Sequence, residues 1–316
     1  MKRVCVTGAG GYIASWVVKL LLSKGYMVHG TVRDPCDEKK NGHLKKLEDA
    51  EERLQLFKAD LLDYEDLCAA FAGCNGVLHI ASPVPGRHVP NPQVELLDPA
   101  ILGTQNVLNA CLKTKVEKVV VVSSGSAVLL NPEWPANQEM DESCWTDIEY
   151  AKSIEQWYAV SKTIAEIEAL EYAKRDDLTV ITVCPALVIG PMLQSTINST
   201  SLLLLSYMKA IRTDNSERPL VDVRDLSEAI LLVFENPESK GRYICSACSY
   251  RTREFVAKMK SIFTEKSGRA LLNSKKLLDL GWNYRPLEES IVDTVKNFEE
   301  AGLLEKGKPF PSTLRF

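Results

Sequence analysis

The sequence lacks several features that would indicate other classes of protein. It contains no run of about 18 apolar residues, so we expect no membrane-spanning helix and no membrane partner. Basic residues are not in excess: 38 Lys and Arg against 42 Asp and Glu give a net charge of -4, which argues against nucleic-acid binding. There is no internal repeat, and we expect no signal peptide ahead of the first apolar run. The 316 residues therefore predict a globular α/β domain, alone or with a smaller lobe.

The nine cysteines form no disulfide or metal-binding pattern. Their number is odd and their positions are scattered, which is typical of free thiols in a reducing compartment, so we expect a cytoplasmic protein. Cys245 and Cys248 have the spacing of a redox or metal pair, but they lack the second pair or the histidines that a zinc site needs. We therefore predict no bound metal.

A glycine-rich turn follows the first apolar run, Val4–Val6. Glycine permits a sharp turn and lets the backbone approach a diphosphate closely, and the helix that follows presents free N–H groups to the anion. A glycine turn can also join a strand to a helix without any ligand, but its place at the first β-α-β unit favours dinucleotide binding. The residues expected around the diphosphate are Gly8, Gly10, Gly11, Tyr12, Ile13 and Ala14.

Short apolar runs alternate with helical patterns through the first two thirds of the chain. Nearly continuous apolar strands separated by helices predict a Rossmann-type, doubly wound parallel sheet with helices on both faces. After about residue 190 the alternation ends, and we expect a smaller C-terminal substrate-binding lobe. We assign residues 1–190 and about 220–245 to the dinucleotide-binding domain, and about 191–219 and 246–316 to the lobe. The predicted strands are Met27–Val32, Leu54–Phe57, Gly76–Ile80, Val119–Val122 and Val180–Val183.

Tyr158 and Lys162 lie four residues apart in a segment with helical periodicity, so both side chains can reach one pocket. A nearby ammonium favours the phenolate, and we expect Lys162 to lower the pKa of Tyr158 and make it a proton donor to a carbonyl oxygen. Lysine can also bind ribose hydroxyls. The same spacing is common on solvated helices, but the glycine turn upstream favours a catalytic pair.

Ser123 and Ser124 follow the apolar strand Val119–Val122. At the carboxyl end of a buried strand a hydroxyl can donate a hydrogen bond to a substrate carbonyl. A turn or helix cap is the alternative role for a serine at such a position. We choose Ser124 over Ser123 as the third catalytic residue.

These segments together resemble the extended short-chain dehydrogenases/reductases, specifically the plant cinnamoyl-CoA reductase and dihydroflavonol reductase group. The resemblance implies that Ser124, Tyr158 and Lys162 are catalytic. It also implies that Asp60 and Leu61 border the adenine, that Ile80, Ala81 and Ser82 line the nicotinamide side, and that Pro185, Ala186, Leu187 and Val188 pack on the nicotinamide. The residues that carry it are Thr7–Ala14, Thr31–Arg33, Ala59–Leu61, His79–Pro83, Ser123–Ser124, Tyr158–Lys162 and Cys184–Pro191.

Arg33 indicates which dinucleotide is bound. An acid after the second strand binds the ribose 2′-hydroxyl of NAD, whereas an arginine accommodates the 2′-phosphate of NADP. Arg33, with Lys39 nearby, therefore predicts NADP(H), because guanidinium binds phosphate in a bidentate manner. Asp34 leaves NAD open, and Arg33 could instead pair with Asp34 or Asp60.

The substrate is less constrained than the cofactor. Where cinnamoyl-CoA reductases have a histidine, this chain has Leu203, and an apolar pocket without polar or cationic groups favours a free aldehyde over a thioester. We expect reversible reduction of a hydroxycinnamaldehyde to its alcohol, the cinnamyl alcohol dehydrogenase reaction of lignin biosynthesis. The alternatives are a cinnamoyl-CoA thioester, a dihydroflavonol-type ketone, or a non-catalytic NADP sensor. Monomer and dimer both remain open, and the connections near 212–219 and 263–269 are short for the family.

Overall fold

A computed structural model describes residues 2–84, 89–175, 178–209, 214–252, 254–255 and 271–306. The short connection expected near 263–269 lies outside the described residues, as do residues 212–213 of the connection near 212–219. All nine cysteines are free thiols, as their scattered positions predict.

The described residues form ten strands in two sheets. A seven-stranded parallel sheet has the order β3-β2-β1-β4-β5-β6-β9, and a three-stranded sheet has the order β10-β8-β7. The strands are β1 (Arg3–Val6), β2 (Met27–Val32), β3 (Leu54–Lys58), β4 (Gly76–His79), β5 (Lys118–Val122), β6 (Thr179–Pro185), β7 (Leu187–Ile189), β8 (Glu217–Asp222), β9 (Gly241–Cys245) and β10 (Cys248–Arg251).

Helices cover both faces of the large sheet. On one face α1 packs against α9, and on the other face α5 packs against α4 and α7. The helices are α1 (Tyr12–Ser23), α2 (Glu38–Lys45), α3 (Ala50–Arg53), α4 (Tyr64–Phe71), α5 (Asp98–Lys113), α6 (Ile148–Ser153), α7 (Trp157–Arg175), α8 (Ser199–Met208), α9 (Val223–Glu235), α10 (Lys275–Asp279) and α11 (Leu287–Glu300); a π-helical turn spans Gln93–Leu97 and a 3-10 turn spans Gly125–Ala127.

The inner strands β1, β4 and β5 are mostly apolar because both of their faces are buried. In β1, Val4 and Val6 belong to the hydrophobic cluster that contains residues of α1 and α9, whereas Cys5 belongs to the cluster on the α4, α5 and α7 side. This arrangement confirms the predicted Rossmann-type parallel sheet. The five predicted strands coincide with β2 to β6 apart from small differences at their ends.

The small sheet begins where the chain leaves β6. Ala186 N–H donates to the carbonyl of Cys245 at 2.9 Å, and β7 then pairs in parallel with β8, Leu187 opposite Leu220. β10 adds to β8 in the antiparallel direction. The assignment of these segments to a separate substrate-binding lobe remains a prediction.

The order of the large sheet fixes the place of a ligand. The chain runs outward from β1 to β2 and β3 on one side, and from β4 to β9 on the other, so β1 and β4 flank the switch point. Ligands of doubly wound sheets bind at the carboxyl ends of the strands beside that point. The glycine turn after β1, the segment after β4 and the serines after β5 all lie at this edge.

Candidate active site

Close contacts at the glycine turn exclude side chains. Gly8 has φ +65°, and a Cβ added there would lie 2.9 Å from Ala81 Cβ. A Cβ on Gly10 would lie 2.6 Å from Asn41 Oδ1. Gly8 N–H donates to Thr31 Oγ1 at 3.1 Å, which ties the turn to β2. The turn is therefore a cradle that only glycine can form.

The amino end of α1 faces this cradle. Gly11 is its N-cap residue, no side chain caps it, and its first turn holds no acidic residue. Tyr12 donates its hydroxyl hydrogen to the carbonyl of Gly190 at 2.8 Å, so its side chain joins α1 to the end of β7. The backbone N–H groups at Tyr12, Ile13 and Ala14 can therefore bind an anion, as a dinucleotide diphosphate requires.

A buried threonine joins β1 to the segment after β4. Thr7 Oγ1 accepts the N–H groups of Ile80 and Ala81 at 3.0 Å each and contacts His79 Nδ1 at 3.0 Å. Burial and the nearby Lys162 lower the pKa of His79 to about 3, so the imidazole is neutral and accepts the Thr7 hydroxyl hydrogen. Thr7 was not among the predicted site residues, although it begins the glycine-rich segment Thr7–Ala14. It holds Ile80 and Ala81 beside the glycine turn.

Ser124 and Tyr158 form one hydrogen-bonded unit. The Ser124 hydroxyl accepts Ser126 N–H at 3.1 Å and hydrogen-bonds the phenol of Tyr158. Burial raises the pKa of Tyr158, and the Ser124 hydroxyl opposes that rise. The expectation that Lys162 would bring this pKa down is therefore wrong for this structure, because desolvation of the phenolate outweighs the other effects.

Lys162 is buried beside the same unit. Its ammonium donates to the carbonyl of Val122 at 2.9 Å and to Ser82 Oγ at 3.4 Å. Burial lowers the pKa of Lys162 to about 8, and the carboxylate of Glu166 opposes this fall. The ammonium therefore connects the strand that carries Ser124 to the segment after β4, which the resemblance places at the nicotinamide.

The segment after β6 lies against the turn that carries Ser124. A Cβ on Gly125 would lie 3.1 Å from the carbonyl oxygen of Pro185. Ala186 and Val188 are buried, whereas Leu187 is partly exposed and lines a pocket. The residues predicted to pack on the nicotinamide thus lie next to the predicted catalytic serine.

Arg33 is exposed directly after β2, and Lys39 is exposed in the first turn of α2. Asp34 Oδ1 accepts Cys36 N–H at 2.9 Å and Asp60 Oδ1 accepts Leu62 N–H at 3.0 Å, so both carboxylates serve local turns. Within the described part of the chain, Arg33 forms no ion pair with either acid, and the pairing considered as an alternative does not occur. Arg33 is therefore available to a phosphate.

Leu61 and Asp60 follow β3 at the same edge. Leu61 packs so closely on α5 that a Cβ on Gly103 would lie 2.9 Å from Leu61 Cβ, and the Leu61 carbonyl accepts Asn106 Nδ2 at 3.0 Å. Asp60 is exposed. This places both residues on the side of β1 where a dinucleotide's adenosine half binds in doubly wound folds.

A narrow apolar pocket opens beside β7, between α8 and the small sheet. Leu187, which is predicted to pack on the nicotinamide, and Leu203 both lie in its wall. Arg218 is the charged residue among the described residues of the lining; it pairs with Asp214 at 3.3 Å and lies over the ring of Tyr207. The pocket is therefore suited to an apolar or aromatic group.

A buried ion pair lies behind the catalytic face. Glu166, one helical turn after Lys162, accepts Arg242 Nε at 2.8 Å. The sequence analysis missed both residues. The four-residue spacing from Lys162 to Glu166 could have indicated that Glu166 lies on the same helix face. Nothing in the sequence indicates that Arg242 lies near Glu166 or Lys162.

The described residues contain no cluster of three potential metal ligands, and no helix among them is long and apolar enough to cross a membrane.

Comparison with known proteins gives consistent relatives. A model of the NAD dependent epimerase/dehydratase family matches residues 4–245. The chain is 42% identical to Cinnamoyl-CoA reductase 1 of Petunia hybrida, over 95% of this chain and 93% of that protein. Vestitone reductase from alfalfa (Medicago sativa L.) has a TM-score of 0.82 at 30% identity, over 96% and 100% of the two chains. Gre2 from Candida albicans in complex with NADPH has a TM-score of 0.84 at 28% identity, over 95% and 99%.

Proposed function

This chain belongs to the NAD dependent epimerase/dehydratase family and is an NADP-dependent oxidoreductase, and we propose that it reduces the carbonyl group of a cinnamoyl-type substrate with NADPH. One observation carries the proposal. Ser124 and Tyr158 are hydrogen-bonded to each other at the carboxyl edge of the sheet, and Lys162 lies one helical turn from Tyr158. Two hydroxyl groups and an ammonium beside a dinucleotide cradle can bind and protonate a carbonyl oxygen.

Bound NADPH supplies the hydride. As negative charge develops on the carbonyl oxygen, the Ser124 hydroxyl donates a hydrogen bond to it and Tyr158 transfers its proton to it. This transfer leaves a phenolate in a site where burial already raises the pKa of Tyr158. In this proposal the Lys162 ammonium offsets part of that desolvation but not all of it, so the pKa of Tyr158 stays above its usual value.

We propose a cinnamoyl-CoA thioester as the first substrate. The 42% identity to a Petunia cinnamoyl-CoA reductase along 95% of the chain supports it. Hydride adds to the carbonyl carbon, Tyr158 protonates the oxygen, and the carbon–sulfur bond then breaks. As the C=O bond reforms, the hydroxyl proton returns to the Tyr158 phenolate and the departing thiolate takes up a proton from solvent, so the products are the aldehyde, coenzyme A thiol and NADP⁺.

Reduction of a free hydroxycinnamaldehyde to its alcohol is the second candidate. It is favoured by the apolar pocket beside β7, in which Leu203 takes the position where we expected a histidine. Among the described residues that line the pocket, the charged one, Arg218, is already paired with Asp214 at 3.3 Å, so the described lining offers no unpaired cation to a coenzyme A phosphate. In this reaction Tyr158 protonates the alkoxide and no leaving group departs.

The test is a substrate panel followed through the loss of NADPH absorbance. p-Coumaroyl-CoA, p-coumaraldehyde and a dihydroflavonol are each offered to the wild type and to Tyr158→Phe. Oxidation of NADPH with the thioester, lost in Tyr158→Phe, is the expected result. Turnover of the aldehyde alone would support the second candidate, and turnover of the dihydroflavonol alone would contradict the cinnamoyl assignment. NADPH binding without any oxidation would contradict the proposal and favour the sensor.

A further inference from the structure

The last residue of β5 and the two residues that follow it bond to side chains on three successive turns of α7. The carbonyl of Val122 accepts Lys162 Nζ at 2.9 Å, and the hydroxyl of Ser123 donates to Glu166 Oε2 at 2.7 Å. The hydroxyl of the third residue, Ser124, bonds Tyr158. The strand end and the helix face are therefore aligned by three contacts, of which two involve predicted catalytic residues. Glu166 makes the third.

Glu166 is buried, and its carboxylate accepts hydrogen bonds from several side chains. It is 1% exposed, and besides Ser123 its carboxylate accepts Thr182 Oγ1 at 2.7 Å and Arg242 Nε at 2.8 Å. Thr182 belongs to β6 and Arg242 to β9, so the carboxylate joins three neighbouring strands of the sheet. An ionised carboxylate can only accept hydrogen bonds, and both oxygens of Glu166 have donors here.

Arg242 extends the same network to the loop after Ser124. Its guanidinium donates to the carbonyls of Ala127, Glu142 and Cys144, at 3.3, 3.0 and 2.7 Å. The pair thus links the buried side of the catalytic face to the turn that begins at Ser124. Removing either partner alone would leave an uncompensated buried charge.

Lys162 is surrounded by titratable groups from four elements. Glu166 is the carboxylate that raises its pKa against the effect of burial. His79 carries no charge because its pKa is about 3. Burial raises the pKa of the Cys184 thiol well above its usual value, so this group is also neutral. The groups that interact electrostatically with Lys162 are Glu166 from α7, His79 from β4 and Cys184 from β6, and Arg242 from β9 is bonded to Glu166. Tyr158 lies one helical turn before Lys162 on α7.

We propose that Glu166 is a positioning residue that acts through Lys162 and Ser124: its carboxylate fixes the ends of β5 and β6 and supplies the negative charge that keeps Lys162 an ammonium. The consequence for turnover rests on the proposed function, because Lys162 must be charged to stabilise the Tyr158 phenolate. The effect of Glu166 on the protonation of Lys162 does not depend on any substrate. The two can therefore be tested separately.

The experiment measures the pKa of Lys162 by NMR in protein labelled with carbon-13 at lysine Cε, with Lys162→Arg to assign the signal. In the wild type this pKa is expected at about 8. Glu166→Gln removes the charge with little change of shape, and the pKa is expected to fall to about 7 or lower. Glu166→Asp keeps the charge and should restore a value near that of the wild type. A purely structural role would not separate Gln from Asp in this way.

Thr182→Val is the matched control. It removes one hydrogen bond to Glu166 while the carboxylate keeps its charge, so it is expected to lower thermal stability and leave the pKa of Lys162 unchanged. Where Glu166→Gln does not fold, the double variant Glu166→Gln/Arg242→Gln carries the test, because replacing both charges of a buried pair is better tolerated than replacing one. The same fall in the pKa of Lys162 is expected.

Activity gives a second readout. In Glu166→Gln, kcat is expected to be about fivefold below the wild type at pH 8 and nearly equal to it at pH 6, since a pKa near 7 leaves about a tenth of Lys162 charged at pH 8. If Lys162 keeps its wild-type pKa in folded Glu166→Gln, the inference is overturned, even if the wild type is an active reductase. A lowered pKa in a protein that reduces no cinnamoyl carbonyl supports the inference and contradicts the proposed function.

Discussion

Ser123 donates its hydroxyl hydrogen to Glu166 Oε2 at 2.7 Å, whereas the next residue along the chain, Ser124, bonds the phenol of Tyr158. Two adjacent serines therefore point into different environments. Ser123 is buried in the network behind the catalytic face, and Ser124 lies in front of it. Successive residues of a strand face opposite sides, so the sequence indicates that the two serines differ, but it does not say which of them faces the catalytic side.

Replacing the two serines should therefore give different defects. Ser124→Ala is expected to lower kcat by about 100-fold or more, because it removes a donor to the developing oxyanion, while the Kd for NADPH stays near the wild-type value. Ser123→Ala is expected to lower the free energy of unfolding by about 1–3 kcal/mol, because it leaves a buried carboxylate oxygen short of a donor. Steady-state kinetics and urea unfolding of both variants check this. A large loss of kcat confined to Ser123→Ala would contradict the choice of Ser124.

Arg33 should determine the preference for NADPH. Arg33→Ala is expected to raise the KM for NADPH by about 10- to 100-fold, because a charge-assisted hydrogen bond to the 2′-phosphate is lost, and to leave the KM for NADH nearly unchanged. Lys40→Ala is a matched control, since Lys40 is equally exposed but is paired with Asp37 at 3.0 Å. An equal effect of Arg33→Ala on both cofactors would show that Arg33 does not contact the phosphate.

Gly8 should not tolerate a side chain, because of its close contact with Ala81 as well as its backbone conformation. Gly8→Ala is expected to weaken NADPH binding by more than tenfold, because the new Cβ would lie 2.9 Å from Ala81 Cβ and force the cradle apart. Gly302→Ala introduces the same left-handed strain, at φ +68°, with nothing within 4 Å. It should cost about 1 kcal/mol of stability and leave NADPH binding intact. Calorimetric titration with NADPH compares the two, and similar binding losses would refute the role of the cradle.

His79 should make the protein sensitive to acid. Its pKa is about 3 in the folded protein and about 6.5 in the unfolded chain, so only the unfolded chain binds a proton between these values. The stability that the neutral imidazole contributes is complete above pH 6.5 and falls as the pH decreases toward 3. At pH 5 the loss is expected to be about 2 kcal/mol relative to pH 7.5.

The check is urea unfolding of the wild type and His79→Gln at pH 7.5 and pH 5. The glutamine has no titratable group, so the variant should lose about 2 kcal/mol less than the wild type between the two conditions. Identical losses would mean that His79 is charged in the folded protein. The comparison is made as a difference because burial also lowers the pKa of His29 and His43.

The sequence predicted the sheet well because strands buried on both faces carry an unbroken apolar signal, as in Val119–Val122 of β5. It predicted the cradle because only glycine tolerates the backbone and the contacts of Gly8. Both signals are local. The Glu166–Arg242 pair was missed because its partners are 76 residues apart and meet only when β9 joins β6.

The protonation of Tyr158 could not be predicted from spacing. Its distance of four residues from Lys162 indicated the correct helix face, but the direction of the pKa depends on how far the phenol is desolvated. Lys162 meanwhile donates to Val122 and Ser82, which lie 40 and 80 residues away. Burial and long-range partners of this kind are properties of the assembled sheet.

The central claim is that Tyr158 is the proton donor in carbonyl reduction by NADPH. The most direct measurement is the kcat of Tyr158→Phe with p-coumaroyl-CoA and p-coumaraldehyde, alongside a titration of the same variant with NADPH. We predict a fall in kcat of about 100- to 10,000-fold with the Kd for NADPH within about twofold of the wild type. Turnover at the wild-type rate by a folded Tyr158→Phe protein would contradict the account.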